Sequence, residues 1–291
     1  MMIPPKINNW GRWGADDQLG ALNLMTPERV LTAVQLVKRG KIYNLAVPLE
    51  KDGPQFPTFH KTWCVTHYTN NQEAGAVNFA DDVVTMETHS GTHIDGIGHC
   101  WTDHTMWNGQ DAGRVTSYGL DWAGIHNVPG IVGRGVMLDL PRFKGVSHLG
   151  LGEVATVEMM EGCAKAQGVD IRPADVLLLR TGWYTVFQND RALWEQGEPG
   201  PDPSCTAWLQ ARDVLALGAD SAGVEAMVLA KRTATTPRLH TTALRDLGVY
   251  LMEHLNLEDL ARDRVYEFLF VAAPLKLTRA TGTPFAPLAL V

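Results

Sequence analysis

Hydrophobic positions change their period along this chain, and the changes mark its elements. Thr26-Pro27-Glu28 supplies a capping hydroxyl, a first-turn proline and an acid at the positive end of a helix dipole. Val30, Leu31, Val34 and Val37 then recur at helical spacing until Gly40, which predicts an amphipathic helix. Ile42 to Leu49 reads as a strand ended by Pro48, residues 50–60 as a loop, and Trp63–Tyr68 and Asp82–Thr88 as short strands, the second running into His89.

The second half alternates between strand and helix. Gly135–Leu140 and Asp175–Arg180 have the continuous apolar character of buried strands. Residues 151–167 read as a helix ended by Gly168, and Thr206–Leu217 as a helix ended by Gly218. Short apolar runs follow at Ser221–Val224, Val249–Met252 and Phe268–Ala273. Strands with helices between them predict an α/β protein with a sheet core. Residues 8–25 have no clean period and carry Trp10 and Trp13 among glycines, as expected of an arm packed over the chain's own core or a neighbouring subunit. The expected division is an N-terminal arm and helix over residues 1–41 and one domain over 42–291.

Composition narrows the function without naming it. The 291 residues are 45% hydrophobic and 20% charged, with a formal charge of −7 and no long Lys/Arg run, so nucleic acid is not an expected partner. No apolar run is long enough to span a membrane, and the N-terminal stretch has no secretory pattern. Cys64, Cys100, Cys163 and Cys205 are scattered with no C-x-x-C pair and read as free thiols of a cytoplasmic protein. Cys100 reads as a small buried residue beside a site.

One stretch departs from ordinary composition. His89, His93, Asp95 and His99 fall within eleven residues, and all four positions are odd. In extended chain alternate side chains point the same way, so the four face one point, with Gly91 leaving space between the first two histidines. A helical i, i+4 pairing of His89 with His93 is the alternative, but Gly91, Gly96, Gly98 and the β-branched run before them favour a strand leading into a loop. Imidazole nitrogens with a carboxylate oxygen suit Zn²⁺, Mn²⁺ or Fe²⁺ better than Ca²⁺ or Mg²⁺. The donors suffice for one ion or, with a shared carboxylate, for two. The following loop, residues 100–127, carries Trp101, His104, Trp107, Trp122 and His126, which suit a substrate pocket and a core cover equally. Distant donors are open to choice by residue type alone; His240, and Glu253 at the end of an apolar run, are the best placed.

The stretch His89-Ser-Gly-Thr-His93-Ile-Asp95-x-x-x-His99 resembles the H-x-G-T-H-x-D-x-x-x-H signature of the metal-dependent cyclase family, which includes bacterial kynurenine formamidases and isatin hydrolases. The segment Gly248-Val-Tyr-Leu-Met-Glu253-His-Leu-Asn-Leu257, with His240 upstream, resembles the family's downstream histidine and its G-V-x-x-x-E-x-L-x-L segment. Thr281-Gly-Thr-Pro-Phe-Ala-Pro-Leu-Ala289 resembles its terminal T-G-[ST]-P-x-R-P-x-A, and Trp10–Asn23 is similar to the opening of its longer members.

The resemblance implies a single domain of swivelling β/β/α architecture, a mixed sheet flanked by helices, with the N-terminal arm added. It implies His89, His93 and Asp95 as ligands of a first metal. His99, His240 and Glu253 would hold a second metal or position water and substrate, with His99, or else His240, as the proton carrier. One or two Mn²⁺ or Zn²⁺ ions per subunit, and a homodimer or homotetramer, follow from the same source. Ile97 occupies the formamidases' usual proline position and Ala286 stands where arginine is common; both leave the donors intact and point away from N-formylkynurenine.

The implied chemistry is hydrolysis of an amide, formamide, cyclic imide or lactone of a small molecule by metal-activated water. A cyclase or dehydratase on the same metal, and a non-catalytic metal-binding protein, are the rivals. No G-x-S-x-G elbow supports a serine hydrolase. Position and composition put Trp13, Phe59, Trp63 and Trp101, with His60, forward as the wall for a flat aromatic substrate.

Overall fold

The apolar runs of the second half become the middle of one mixed sheet. In a computed structural model, which describes residues 7–56, 74–75, 77–78 and 80–291 and the backbone of 63–69, nine strands lie side by side. Their order is Ile42–Asn44, Leu288–Leu290, Glu267–Ala272, Ile131–Asp139, Val176–Arg180, Ala216–Ala219, Tyr250–Glu253, His93–Asp95 and Gly282–Pro284. The central four, from Ile131–Asp139 to Tyr250–Glu253, run parallel. Both faces of parallel strands are covered, which is why Val176, Leu177, Leu178 and Leu179 are all buried and the run shows no alternation. The outer pairings, including Tyr250–Glu253 with His93–Asp95, are antiparallel.

Helices connect these strands where capping chemistry allows. Val157–Gln167 starts at Thr156, whose hydroxyl accepts from Met159 N, and ends at Gly168 with φ +72°. At the end of the central strand Val176–Arg180, Arg180 joins the carboxylates of Asp139 and Glu258 at 2.8–2.9 Å. The N-terminal arm packs on its own chain. Asn9 N donates to Asp246 O and Ala21 N to Gly248 O, both at 2.8 Å, and Trp10 Nε1 donates to Arg245 O at 2.7 Å.

Four local expectations are corrected. The helix Pro27–Val34 is capped by Thr26 as read, but it stops well before Gly40 and buries Ala33; Leu31 is 66% exposed and Val34 is exposed too. Half of the predicted stripe, Leu31 and Val34, therefore faces outward, while Val30 and Val37 are partly buried. The helix expected over Thr206–Leu217 ends at Ala211, and Ala216–Ala219 is a central strand with Gly218 inside it. A Cβ at Gly218 would lie 2.8–2.9 Å from Leu255 and Leu178, so this glycine answers to packing and not to a helix end. Ser221–Val224 is a turn after that strand and not a strand itself. Trp63–Thr69 and Ala80–Met86 do pair as a hairpin, which ends three residues short of His89.

Candidate metal centre

Three sequence-distant segments deliver the donors. His93 and Asp95 stand two residues apart on a strand, on the same face. That strand is flanked by Tyr250–Glu253, whose Glu253 lies opposite His93, and by Gly282–Pro284, whose Gly282 lies opposite Asp95. A side chain at Gly282 would run into Nε2 of His89, so the glycine is the space through which His89 reaches Asp95. His240 caps the π-helical turn Thr241–Leu247, which places its ring against the same strand end.

Extended geometry does not gather the cluster. Only His93–Asp95 is strand; His89 and His99 approach through turns on either side of it. Gly91 sits in the left-handed region at φ +57°, and a side chain there would strike Leu49 outside the site. Its role is to reverse the chain, and the reading of Gly91 as space between the histidines is corrected accordingly. On the other side Gly96 N donates to Thr281 O at 2.8 Å and His99 N to Gly96 O at 2.9 Å, which bends His99 back over the centre. Thr92 ties the motif down: its hydroxyl donates to His254 O at 2.7 Å and accepts from Val47 N at 2.9 Å.

The donor atoms converge. Nε2 of His89 lies 3.3 Å and Nε2 of His93 3.5 Å from Asp95 Oδ1; Nε2 of His99 and His240 lie 3.8 and 3.7 Å from Oδ2. Glu253 reaches His93 Nε2 with Oε2 at 3.1 Å and His240 Nε2 with Oε1 at 3.0 Å. His89–Asp95–His99 and Asp95–His240–Glu253 are thus two potential ligand groups that share Asp95, and His93–Glu253–His254 is a third. The other ring nitrogens of His89, His93 and His240 are spoken for. His93 Nδ1 donates to Gly91 O at 2.9 Å, His240 Nδ1 meets Glu225 Oε1 at 3.1 Å, and Thr88 Oγ1 lies 3.1 Å from His89 Nδ1. Such bonds leave the Nε2 lone pairs directed inward, as metal-ligating histidines require.

The electrostatics match. Burial pushes His89 down to about 3, helped by neighbouring imidazoles, so it is a neutral donor. Burial also opposes charge on His93, but the Glu253 and Asp95 carboxylates outweigh it and hold His93 at about 8. His240 is raised well above its ordinary value by Glu225 and Glu253 in spite of its burial. Glu253, although buried, is held well below the carboxylate range by His93 and His240. His89 Nε2 and Asp95 Oδ1 are buried without a hydrogen bond among the described residues. Inward-facing nitrogen and carboxylate donors with unmet polar atoms fit a divalent transition ion or zinc.

Residues 43–226, more than half of the chain, match the family model described as putative cyclase. The chain belongs to this cyclase family. Isatin hydrolase of Roseibium aggregatum is 24% identical to it over 230 residues, covering 77% of this chain and 80% of that protein. A crystal structure described as a novel cyclase superposes with a TM-score of 0.88 at 32% identity, covering 98% of this chain and all of that one. An isatin hydrolase bound to the product analogue thioisatinate shares the fold, with a TM-score of 0.64 at 21% identity over 92% of this chain and 99% of that one. The mixed α/β architecture, a curled mixed sheet flanked by helices, is that of the cyclase-like relatives.

Within this cyclase-family chain the six proposed donors come together, whereas Trp13 and Trp101 of the proposed aromatic wall stand away from them. Trp13 packs 6.2 Å from the ring of Trp107 under Arg12, as part of the arm. Trp101 lines a neighbouring cavity with Thr102 and Thr241. Phe59 and His60 lie outside the described residues, and Trp63 is described only as the backbone start of a strand. The cavity over the donors, about 280 Å³, is lined instead by Phe56, Cys100, Met227, Arg232 and Arg238. Cys100 stands beside the centre as read, half-buried and not buried, with Sγ 3.6 Å from Thr241 Oγ1.

Sequence reading also missed a supporting layer. Glu225 accepts from Leu239 N at 2.5 Å besides holding His240. Glu198 is fully buried next to the Ala222–Gly223 turn, with one oxygen accepting from Ala222 N; burial drives its carboxyl well above the usual range. His254 is buried and neutral, pushed down to about 3 by burial, with Nε2 unpartnered among the described residues. Only His254, adjacent to Glu253, carried any signal in the sequence.

Proposed function

We propose that this protein is a metal-dependent hydrolase that cleaves a non-peptide C–N or C–O bond of a small cyclic amide, formamide, imide or lactone. The carrying observation is the shared Asp95, with His89 and His93 against Oδ1, His99 and His240 against Oδ2, and Glu253 between His93 and His240. Isatin hydrolase and cyclase relatives support the same reading. A bound Zn²⁺ or Mn²⁺ supplies an acidified water and a Lewis acid for the carbonyl.

The residues divide the remaining work. His89, His93, Asp95, His240 and Glu253 are buried or nearly so and orient the ion. His240 is engaged at both nitrogens, by Glu225 and by Glu253, which leaves His99 as the more accessible imidazole. His99 is the most open of the cluster, its side chain 27% exposed and its ring stacked 4.2 Å from that of His89. Its imidazole takes the proton from the attacking water and returns it to the departing nitrogen or oxygen. Phe56 and Met227 present apolar surface to the substrate body.

Purified protein reconstituted with Mn²⁺ or Zn²⁺ and assayed on isatin, N-formylkynurenine, cyclic imides and lactones tests this reading. Turnover should need metal, and Asp95→Ala should remove both metal binding and activity. A fully active Asp95→Ala protein, or activity indifferent to chelation, sinks the proposal.

A further inference from the structure

The cavity above the donor cluster is lined by two guanidinium groups as well as by carboxylates and imidazoles. Arg232 is held there by non-ionic contacts, with Nη1 3.3 Å from Met227 Sδ and the guanidinium 5.3 Å from the centre of the Phe56 ring. Contacts of that kind fix a side chain while using only one of its forked N–H donors. Arg238 stands two residues before His240, and its carbonyl accepts from Thr242 N at 3.3 Å, so its backbone is tied to the turn that delivers His240. It also lines two adjoining cavities of about 560 and 450 Å³, so it stands where all three cavities meet.

Neither guanidinium meets a carboxylate among the described residues, although both are partly buried. Elsewhere in the molecule arginines in comparable settings are paired: Arg180 with Asp139 and Glu258, Arg134 with Asp175 and Glu267. The nearby acids are engaged elsewhere. Glu225 uses one oxygen on His240 and the other on Leu239 N, and Asp202 Oδ1 accepts from both Ser204 N and Ser204 Oγ. With neutral ligand histidines, the carboxylates of Asp95, Glu225 and Glu253 offset a divalent ion and one arginine. One positive charge is left over. An unmatched guanidinium in a cavity favours an anion it can grip with two parallel hydrogen bonds.

We propose that Arg232 and Arg238 form an anion-binding wall, so that the preferred substrate carries a carboxylate or equivalent anionic group remote from the carbonyl that is attacked. This builds on the hydrolase reading and names its substrate class. Calorimetric titration of the Zn²⁺-loaded protein with 3-carbamoylbenzoate and with isophthalamide, in which the remote carboxylate is replaced by a neutral amide, tests it. 3-Carbamoylbenzoate should bind at least tenfold more tightly. Arg232→Gln and Arg238→Gln, singly and together, should remove that preference with zinc content unchanged and isophthalamide binding within about twofold, and Arg238→Lys should restore part of it. Equal binding of the two ligands, or no 3-carbamoylbenzoate binding, overturns the wall, as does a preference that survives in the double variant or an equal loss for both ligands. A protein that shows the preference yet hydrolyses none of the carbonyl compounds keeps the wall and loses the hydrolase reading; one that hydrolyses them without the preference does the reverse.

Discussion

Glu253 lies directly across an antiparallel strand pair from His93, with Oε2 3.1 Å from Nε2. Both side chains are buried, so each is the other's main compensation for lost water when no ion is bound. Removing one partner of such a pair strands the other. Glu253→Ala should therefore lower the stability of the metal-free protein by about 3 kcal/mol or more. Urea unfolding in the presence of a chelator reads this directly.

The same pair sets a pH dependence of opposite sign in the two states of the protein. His93 is held at about 8, above its ordinary 6.5, because Glu253 and Asp95 outweigh its burial. Its protonation stabilises the metal-free fold fully below about pH 6.5 and is lost as pH rises through 8, a change of roughly 2 kcal/mol. Metal binding must displace that proton, so affinity for Zn²⁺ should rise about tenfold per pH unit for each proton released, up to about pH 8. Chelator-competition titrations between pH 6 and 9 measure the slope, and a flat profile would exclude His93 as a ligand.

Gly282 is required by the neighbour it faces and not by its backbone angle. Gly282→Ala places a methyl group on Nε2 of His89 and should push that imidazole out of the centre. We expect at least a tenfold loss of metal affinity and a stability cost of about 1–3 kcal/mol from overpacking. Metal analysis separates the two effects, since an unfolding defect alone would leave the remaining folded fraction fully loaded.

Glu225 touches His240 Nδ1 at 3.1 Å and orients it for the donor cluster. Glu225→Gln keeps the shape and removes the charge, and should weaken metal binding or activity by about 10–100-fold. Because Leu239 N also depends on Glu225 at 2.5 Å, Glu225→Ala should additionally destabilise the turn into His240. Circular dichroism melts of the two variants distinguish orientation from support.

The sheet was largely legible where burial is continuous. Asp175–Arg180 reads as a strand because parallel strands covered on both faces need apolar residues at every position. Legibility failed where an apolar pattern had another cause. Leu31 and Val34 have helical spacing and still face outward, since spacing says which residues share a face and not what that face meets. Gly218 looks like a helix end and is a strand interior, because its small size serves Leu178 and Leu255 across the sheet.

At the metal centre the division is sharper. By itself the sequence determined the donor chemistry: His89, His93, Asp95 and His99 lie within eleven residues, and their nitrogen and oxygen atoms already specify the class of ion. Their convergence belongs to the tertiary structure. It sets Glu253 opposite His93 through strand register, admits His89 through the missing side chain of Gly282, and brings Glu225, Arg232 and Arg238 to a cavity they do not announce in sequence. Residue type and local spacing are carried along the chain, whereas register, close approach and the meeting of distant loops exist only after the sheet has formed.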